Sequence, residues 1–297
     1  MKTVRAVADL RAALAGARRA GRTIGLVPTM GALHDGHLSL IRRARAGNDV
    51  VVVTLFVNPA QFDEREDLER YPRDEARDAQ LARQAGADVL FAPTASEVYP
   101  PGFATSIEVR GASEQLEGRA RGGEHFRGVA TVVAKLLCMT LPDVAYFGQK
   151  DAQQLAVIRR LVADLNLPVE IEACPTVREA DGLAMSSRNA RLSPEQRQRA
   201  LSLVAALDAA RAAASGGERS ARVLMGAARE AMLARGVEPE YLALVDPQTF
   251  QPREALARAS LLAVAARIGA TRLIDNVLLE PAHASAPDQP IPTEVLA

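Results

Sequence analysis

His34 and His37 stand three residues apart in Pro28-Thr29-Met30-Gly31-Ala32-Leu33-His34-Asp35-Gly36-His37, between an apolar run and an amphipathic one. A strand that turns through glycine into a helix leaves backbone N–H groups free at the positive end of the helix dipole, and both attract phosphate. The imidazoles add side-chain donors, and Gly36 lets the backbone approach a ligand closely. A helix N-terminus disfavours their protonation, so they act as neutral donors unless a bound phosphate reverses this. Zinc is disfavoured: helical ligand pairs of metalloproteases stand four apart around a Glu, and the only other histidines are His125 and His283. A Walker A loop is excluded because Gly36 is followed by His37-Leu38 and not by Lys-Ser/Thr. Local spacing leaves a third reading open, in which both rings cap a helix and bind nothing.

Polar chemistry gathers in two more places. In Phe147-Gly148-Gln149-Lys150-Asp151, Lys150 follows a strand end and is one of three lysines among 36 Lys+Arg, a compact ammonium where the chain otherwise uses guanidinium. A solvated loop lysine is the plain alternative. Asp151 suits a helix N-cap and a ribose ligand, and the two roles are compatible. Met185-Ser186-Ser187-Arg188 offers two hydroxyls and a guanidinium, apt for the β- and γ-phosphates of a triphosphate. Its alternative is a polar linker whose serines cap the next helix. Gly182 is placed to give that loop mobility. Gln61 and Gln154 are amides able to bond a hydroxyl and a carboxylate, although residue type alone puts them on the surface.

These groups need a scaffold, and composition bounds it. The 297 residues allow one large domain or two smaller ones. Lys+Arg and Asp+Glu balance at 36 each, aromatics are 4% and Trp is absent, so neither a basic field nor stacking platforms exist for nucleic acid. Cys138 and Cys174 are too few for a disulfide framework and read as small core residues of a protein in a reducing compartment. Met1–Leu14 mixes charges among apolar residues, unlike a signal peptide. The apolar stretch Val129–Leu141 is interrupted by Lys135 and falls short of the ~18 residues of a membrane span. A cytoplasmic location is expected.

Thr23–Val27 and Asp49–Val57 are β-branched-rich runs that predict strands buried on both faces, joined by a helix over His37–Ala46. Helices over Asp74–Gln84, Val129–Met139 and Ala152–Asp164 then alternate with strands at Asp88–Ala92, Val144–Phe147 and Val169–Ala173. The expected fold is α/β, a Rossmann-like parallel sheet with helices on both faces over residues 1–176. Its ligand crevice lies at the carboxyl ends of the strands, among the loops after Val27, Val57 and Phe147. From Ser193 an Ala- and Arg-rich helical stretch, broken at Ser215-Gly216-Gly217, precedes strands at Tyr241–Val245, Leu261–Ile268 and Arg272–Leu279, which predicts a smaller α+β domain over 177–282. Residues 283–297, proline-rich and small, are expected to lack fixed structure. Asp63–Arg70 reads as a solvated charge run, and the Gly/Arg-rich Gly118–Gly123 as a mobile flap.

HxGH after the first strand resembles the signature of the nucleotidyltransferase superfamily that includes class I aminoacyl-tRNA synthetases. The longer PTMGALHDGHLSLI, Pro28 to Ile41, is similar to the pantoate:β-alanine ligase family. Asn58-Pro59-Ala60-Gln61-Phe62, Tyr71-Pro72-Arg73, Phe147–Asp151 and Ala184-Met185-Ser186-Ser187-Arg188-Asn189 match that family in order and approximate spacing, over nearly all the chain to the neighbourhood of Glu280. The resemblance implies an ATP-dependent ligase that joins pantoate to β-alanine through a pantoyl adenylate and releases AMP and pyrophosphate, with ATP and Mg²⁺ required. It further implies a homodimer acting on small molecules, with neither nucleic acid nor membrane as partner.

Carried over residue by residue, it makes His34, His37, Lys150 and Arg188 catalytic. Met30, Gly31, Gly36, Gly148, Gln149, Asp151, Val177, Met185, Ser186 and Ser187 join them around ATP. Pro28, Met30, Gln61 and Gln154 take pantoate, with Gln61 also near β-alanine. Asp78 matches a position linked to magnesium in some members, yet Arg77 and Leu81 beside it offer no second oxygen ligand, and a solvated helix face fits it better. A cofactor-type nucleotidyltransferase and a non-catalytic nucleotide sensor remain as alternatives from the same loops.

Overall fold

The computed structural model describes residues 1–62 and 65–282. Its chain opens with β1 (Lys2–Val4) and α1 (Val7–Arg19), then β2 (Ile24–Thr29), α2 (Asp35–Gly47), β3 (Val50–Leu55), α3 (Arg65–Glu69), α4 (Glu75–Ala85) and β4 (Val89–Phe91). Two short helices, α5 (Ala95–Val98) and α6 (Glu117–Arg121), precede α7 (Gly123–Thr140), β5 (Val144–Gly148), α8 (Ala152–Asp164) and β6 (Glu170–Cys174). The last part carries α9 (Pro194–Ser215), α10 (Ala221–Leu233), β7 (Tyr241–Val245), β8 (Ser260–Ile268) and β9 (Thr271–Leu279).

Strands β1 to β6 form one parallel sheet in the order β1-β4-β3-β2-β5-β6. Alternate side chains of a strand face opposite sides, so the continuous apolar runs of β2 and β3 feed two cores. Leu26 and Val52 pack with Leu10 and Leu14 of α1 and with apolar residues of α7 and α8. Val27, Val51 and Val53 pack on the other face with Leu38, Ile41 and Ala44 of α2 and Ala82 of α4. The chain steps from β2 outward through β3 to β4, then returns to β5 on the opposite side of β2. Strand order reverses there, and the loops after β2 and β5 diverge to leave a crevice.

Strands β7, β8 and β9 form an antiparallel sheet closed by the two-residue turn Gly269-Ala270, with Gly269 at φ +60°. Leu273 and Leu279 of β9 bury themselves against α9, whose Ala200, Leu203, Ala206, Leu207 and Ala210 recur at helical spacing, and against Leu224 and Met232 of α10. Ser193 and Gln196 make a reciprocal capping box at the start of α9.

Several expectations change. The run Met1–Leu14 holds β1 and the first half of α1, which a three-residue edge strand and an Ala/Arg-rich helix barely announce. Gly118–Gly123 is no open flap: α6 and α7 occupy it, Glu117 and Gly118 are buried, and a Cβ at Gly118 would collide with the Ser113 carbonyl. Cys138 is exposed, whereas Cys174 is buried. In the charge run, α3 covers Arg65–Glu69, while Asp63 and Glu64 lie outside the described residues, as does the tail 283–297. No helix among the described residues is long and apolar enough to cross a membrane.

Candidate active site

A cavity of about 970 Å³ opens at the crevice between β2 and β5, with β9 and the segment after β6 forming its far wall. The loop after β2 is its floor. Gly31 at φ +86° and Ala32 at φ +51° turn the chain sharply, and the turn is held by a carboxylate from α4: Asp78 accepts from Ala32 N and Leu33 N, both at 2.8 Å. Asp78 is therefore not the solvated helix residue expected. It is 2% exposed, with both oxygens committed to backbone donors.

His34 is the N-cap of α2, and its Nδ1 accepts from Gly36 N at 3.1 Å. His37 reciprocates, its Nδ1 accepting from His34 N at 3.4 Å, and the two rings stand 4.0 Å apart. A Cβ at position 36 would lie 2.8 Å from His34 Cε1, so the cap requires glycine. The capping reading holds for both rings. Each Nδ1 must be unprotonated to accept, which leaves Nε2–H as the donor on each ring, and both rings line the cavity. Burial pushes the His37 imidazole down to about 3, with His34 and Lys150 adding to the effect. His34 is also held below its ordinary value, first by burial and then by Lys150.

¹⁵N spectra of the labelled imidazoles at pH 6 are expected to show unprotonated Nδ1 and protonated Nε2 on His37; a doubly protonated ring would contradict the capping geometry. The sign for stability is set by the unfolded chain, which takes the proton first near pH 6.5. Stability from His37 is therefore constant above that pH and falls as pH drops from 6.5 toward 3.

Lys150 stands in a 3-10 turn, Gln149–Asp151, at the end of β5. Its side chain is 20% exposed, not solvated, and its Nζ lies 3.9 Å from Asp151 Oδ1. Asp151 sits at the N-cap position of α8 but makes no side-chain cap bond. Across the cavity, Val177 and Met185 are tied by Met185 N to Val177 O at 2.9 Å, and Met185 lies 3.7 Å from the Cβ position of Gly36. Ser186 Oγ accepts from Arg188 N at 3.2 Å and caps the 3-10 turn Ser187–Arg191, as the linker reading expected, while Ser186, Ser187 and Arg188 all line the cavity. Gly182, at φ +90°, is a turn residue whose N–H bonds Glu179 O and whose Cβ would press on Val204.

Pro28, Met30, Gln61 and Gln154 line the cavity beside the histidines. Gln61 Nε2 lies 3.2 Å from Met30 Sδ, and its Oε1 accepts from Asn58 Nδ2 at 3.0 Å. Gly128 of α7 comes so close that a Cβ there would strike the Ala60 carbonyl. Gly148 also lines the cavity, whereas Gly31 and Gln149 do not: Gly31 packs on Asp78, and the Gln149 carbonyl is bonded by Asn276.

Among the cavity residues that escaped the sequence reading are Glu117, Tyr241 and Arg272. Glu117 of α6 accepts from Arg272 Nη1 and Nη2 at 2.8 and 2.6 Å and from Tyr241 OH at 2.8 Å, joining α6 to the antiparallel sheet inside the cavity. Their separations in sequence, 124 and 155 residues, leave no local signal.

The switch-point loop of the parallel sheet thus caps its helix with two imidazoles and faces an ammonium and a Ser-Ser-Arg turn across one cavity. The family model for pantoate–β-alanine ligase matches residues 2–278. Pantothenate synthetase of Cereibacter sphaeroides is 57% identical over 275 residues, covering 92% of this chain and 98% of that protein. The crystal structure of pantothenate synthetase from Thermus thermophilus superposes with a TM-score of 0.89 at 49% identity, covering 95% of this chain and 100% of that one. Pantoate-β-alanine ligase from Francisella tularensis, solved with a β,γ-ATP compound and β-alanine, is 34% identical with a TM-score of 0.77, covering 94% and 97%. The chain belongs to the pantoate–β-alanine ligase family and is an ATP-dependent ligase.

Proposed function

We propose that the chain condenses pantoate with β-alanine in two half-reactions within this one cavity. A pantoate carboxylate oxygen attacks the α-phosphorus of ATP, the bond to the bridging oxygen breaks, and pyrophosphate leaves. The β-alanine nitrogen then attacks the acyl carbon of the adenylate, AMP departs with the former carboxylate oxygen, and the amine loses a proton. The observation that carries this reading is the meeting of His34, His37, Lys150 and Arg188, from three separate loops, on one cavity.

The protein has little covalent work in the first step, so alignment and charge stabilisation dominate. The two Nε2–H groups donate to the triphosphate beside the α2 N-terminus, where the helix dipole adds to them. Lys150 and the Ser186-Ser187-Arg188 turn take the β- and γ-phosphates, whose charge grows as pyrophosphate leaves. Met30, Gly36, Gly148, Val177 and Met185 shape the nucleotide subsite, and Asp151 holds the ribose. Gln61 and Gln154 hold the pantoate hydroxyls and carboxylate with Pro28 and Met30, and Gln61 borders the β-alanine position.

Among the described residues no group of three His, Cys, Asp or Glu is placed to hold a metal, and each oxygen of Asp78 already accepts from a backbone amide. Mg²⁺ fits as an ion carried by the triphosphate, with Asp151 as the nearby carboxylate, and when bound it neutralises phosphate charge. The chain acts as a cytoplasmic homodimer, and its 177–282 segment closes over the cavity to keep water from the adenylate.

Labelled pyrophosphate exchange into ATP tests the reading. Exchange is expected only with pantoate present, and AMP is expected to accumulate only once β-alanine is added. Exchange independent of pantoate, or a stable dinucleotide product, would overturn it.

A further inference from the structure

Strand β9 carries two buried polar residues at its centre, Asp275 and Asn276, between Ile274 and Val277. Neighbouring side chains on a strand diverge to opposite faces. Asp275, 3% exposed, binds Arg178 Nη1 and Nη2 at 2.6 and 3.0 Å, and Arg178 also donates to the Gly182 carbonyl at 3.0 Å. Arg178 stands in the hairpin Val177–Met185 that delivers the Ser186-Ser187-Arg188 turn. Asn276, 8% exposed, reaches the other way across to the parallel sheet. Its Nδ2 donates to the carbonyls of Gln149 at 3.1 Å and Lys150 at 2.8 Å.

Those two carbonyls define the peptide planes on either side of Lys150, and rotating either plane swings the Lys150 Cα–Cβ bond. The side chains add little of their own: Asp151 makes no cap bond, and the ammonium's ionic partner among the described residues is Asp151 at 3.9 Å. We propose that Asn276 is a positioning residue, whose amide fixes the backbone from which Lys150 is aimed at the triphosphate. With Asp275 beside it, β9 refers both cationic loops to one point of the antiparallel sheet. This inference rests on the assignment of Lys150 to the phosphates.

Asn276→Asp keeps shape and removes the two donors, since a carboxylate cannot donate to carbonyls. The test compares two half-reactions: pantoate-dependent pyrophosphate exchange, and aminolysis of synthetic pantoyl adenylate by β-alanine. Exchange is expected to fall by about 10–100-fold in kcat, the scale of an ångström's misplacement, with aminolysis and the KM for pantoate changed less than about threefold. In a Lys150→Ala background the same substitution is expected to add less than about twofold, because the group it positions is gone. Equal losses in both half-reactions, or an undiminished further loss without Lys150, would reduce Asn276 to a structural residue and overturn the proposal. Should Asn276→Asp lose its cooperative melt, Asn276→Ala, which puts no charge against the carbonyls, carries the same comparison. A wild-type chain without pantoate-dependent exchange would instead refute the assignment of function beneath it.

Discussion

Replacing His37 with alanine is expected to slow adenylate formation by about 10²–10³-fold, the usual cost of removing one preorganised donor from a developing charge. ATP should still bind, more weakly, through Lys150 and the Ser186–Arg188 turn. Two effects have to be separated. The ring caps α2 through Nδ1, a bond at 3.4 Å, and losing a cap costs about 0.5–2 kcal/mol. That loss leaves the helix in place, since Leu38, Ile41 and Ala44 anchor it in the core. The kinetic loss comes from the other nitrogen, the Nε2–H of a ring that lines the cavity. Rapid-quench measurement of the adenylate, alongside a melting curve, distinguishes the two. A folded variant with full activity would remove His37 from the reaction.

Asp78→Ala is expected to have the largest effect on stability, about 3–6 kcal/mol, and to take most of the activity with it. Its carboxylate makes two charge-assisted bonds to the Ala32 and Leu33 amides, each of a kind contributing about 1.5–3 kcal/mol. Without it those donors are stranded beneath a turn that holds Gly31 and Ala32 at positive φ. Met30 and His34, on either side of that turn, would lose their places. A urea titration reads the stability loss. If Asp78 were instead a magnesium ligand, stability would be nearly unchanged and excess Mg²⁺ would restore activity; neither is expected.

Asp78 shows where sequence reading stops. Beside Arg77 on a charged helix it looks solvated, and only the fold brings it under amides 45 and 46 residues earlier. The same holds for Glu117, Tyr241 and Arg272, whose partners are remote, and for Asn276, whose bonds cross from one sheet to the other. What was legible was local. Apolar β-branched runs bounded by Gly, Pro or Asn marked β2 and β3 to within two residues at each end, because two-sided burial demands such runs, and the alternation of strands with helices marked β5 and β6 to within one. His34, Gly36 and His37 were legible because polar rings flanking a glycine between a strand and a helix form a local pattern suited to a helix N-terminus. Lys150 stood out as an ammonium among guanidiniums. Gly31 and Gln149 were assigned to nucleotide by motif membership alone; Gly31 turns the loop at positive φ, and the Gln149 carbonyl accepts from Asn276.

The central claim is that two imidazoles, an ammonium and a guanidinium share one triphosphate. A crystal structure of the chain with pantoate and a non-hydrolysable ATP analogue tests it. Phosphate oxygens are expected within hydrogen-bonding distance of His34 or His37 Nε2, of Lys150 Nζ and of the Ser186–Arg188 turn, with the pantoate carboxylate between the α-phosphate and Gln61. A nucleotide bound with its phosphates away from these groups would contradict the account.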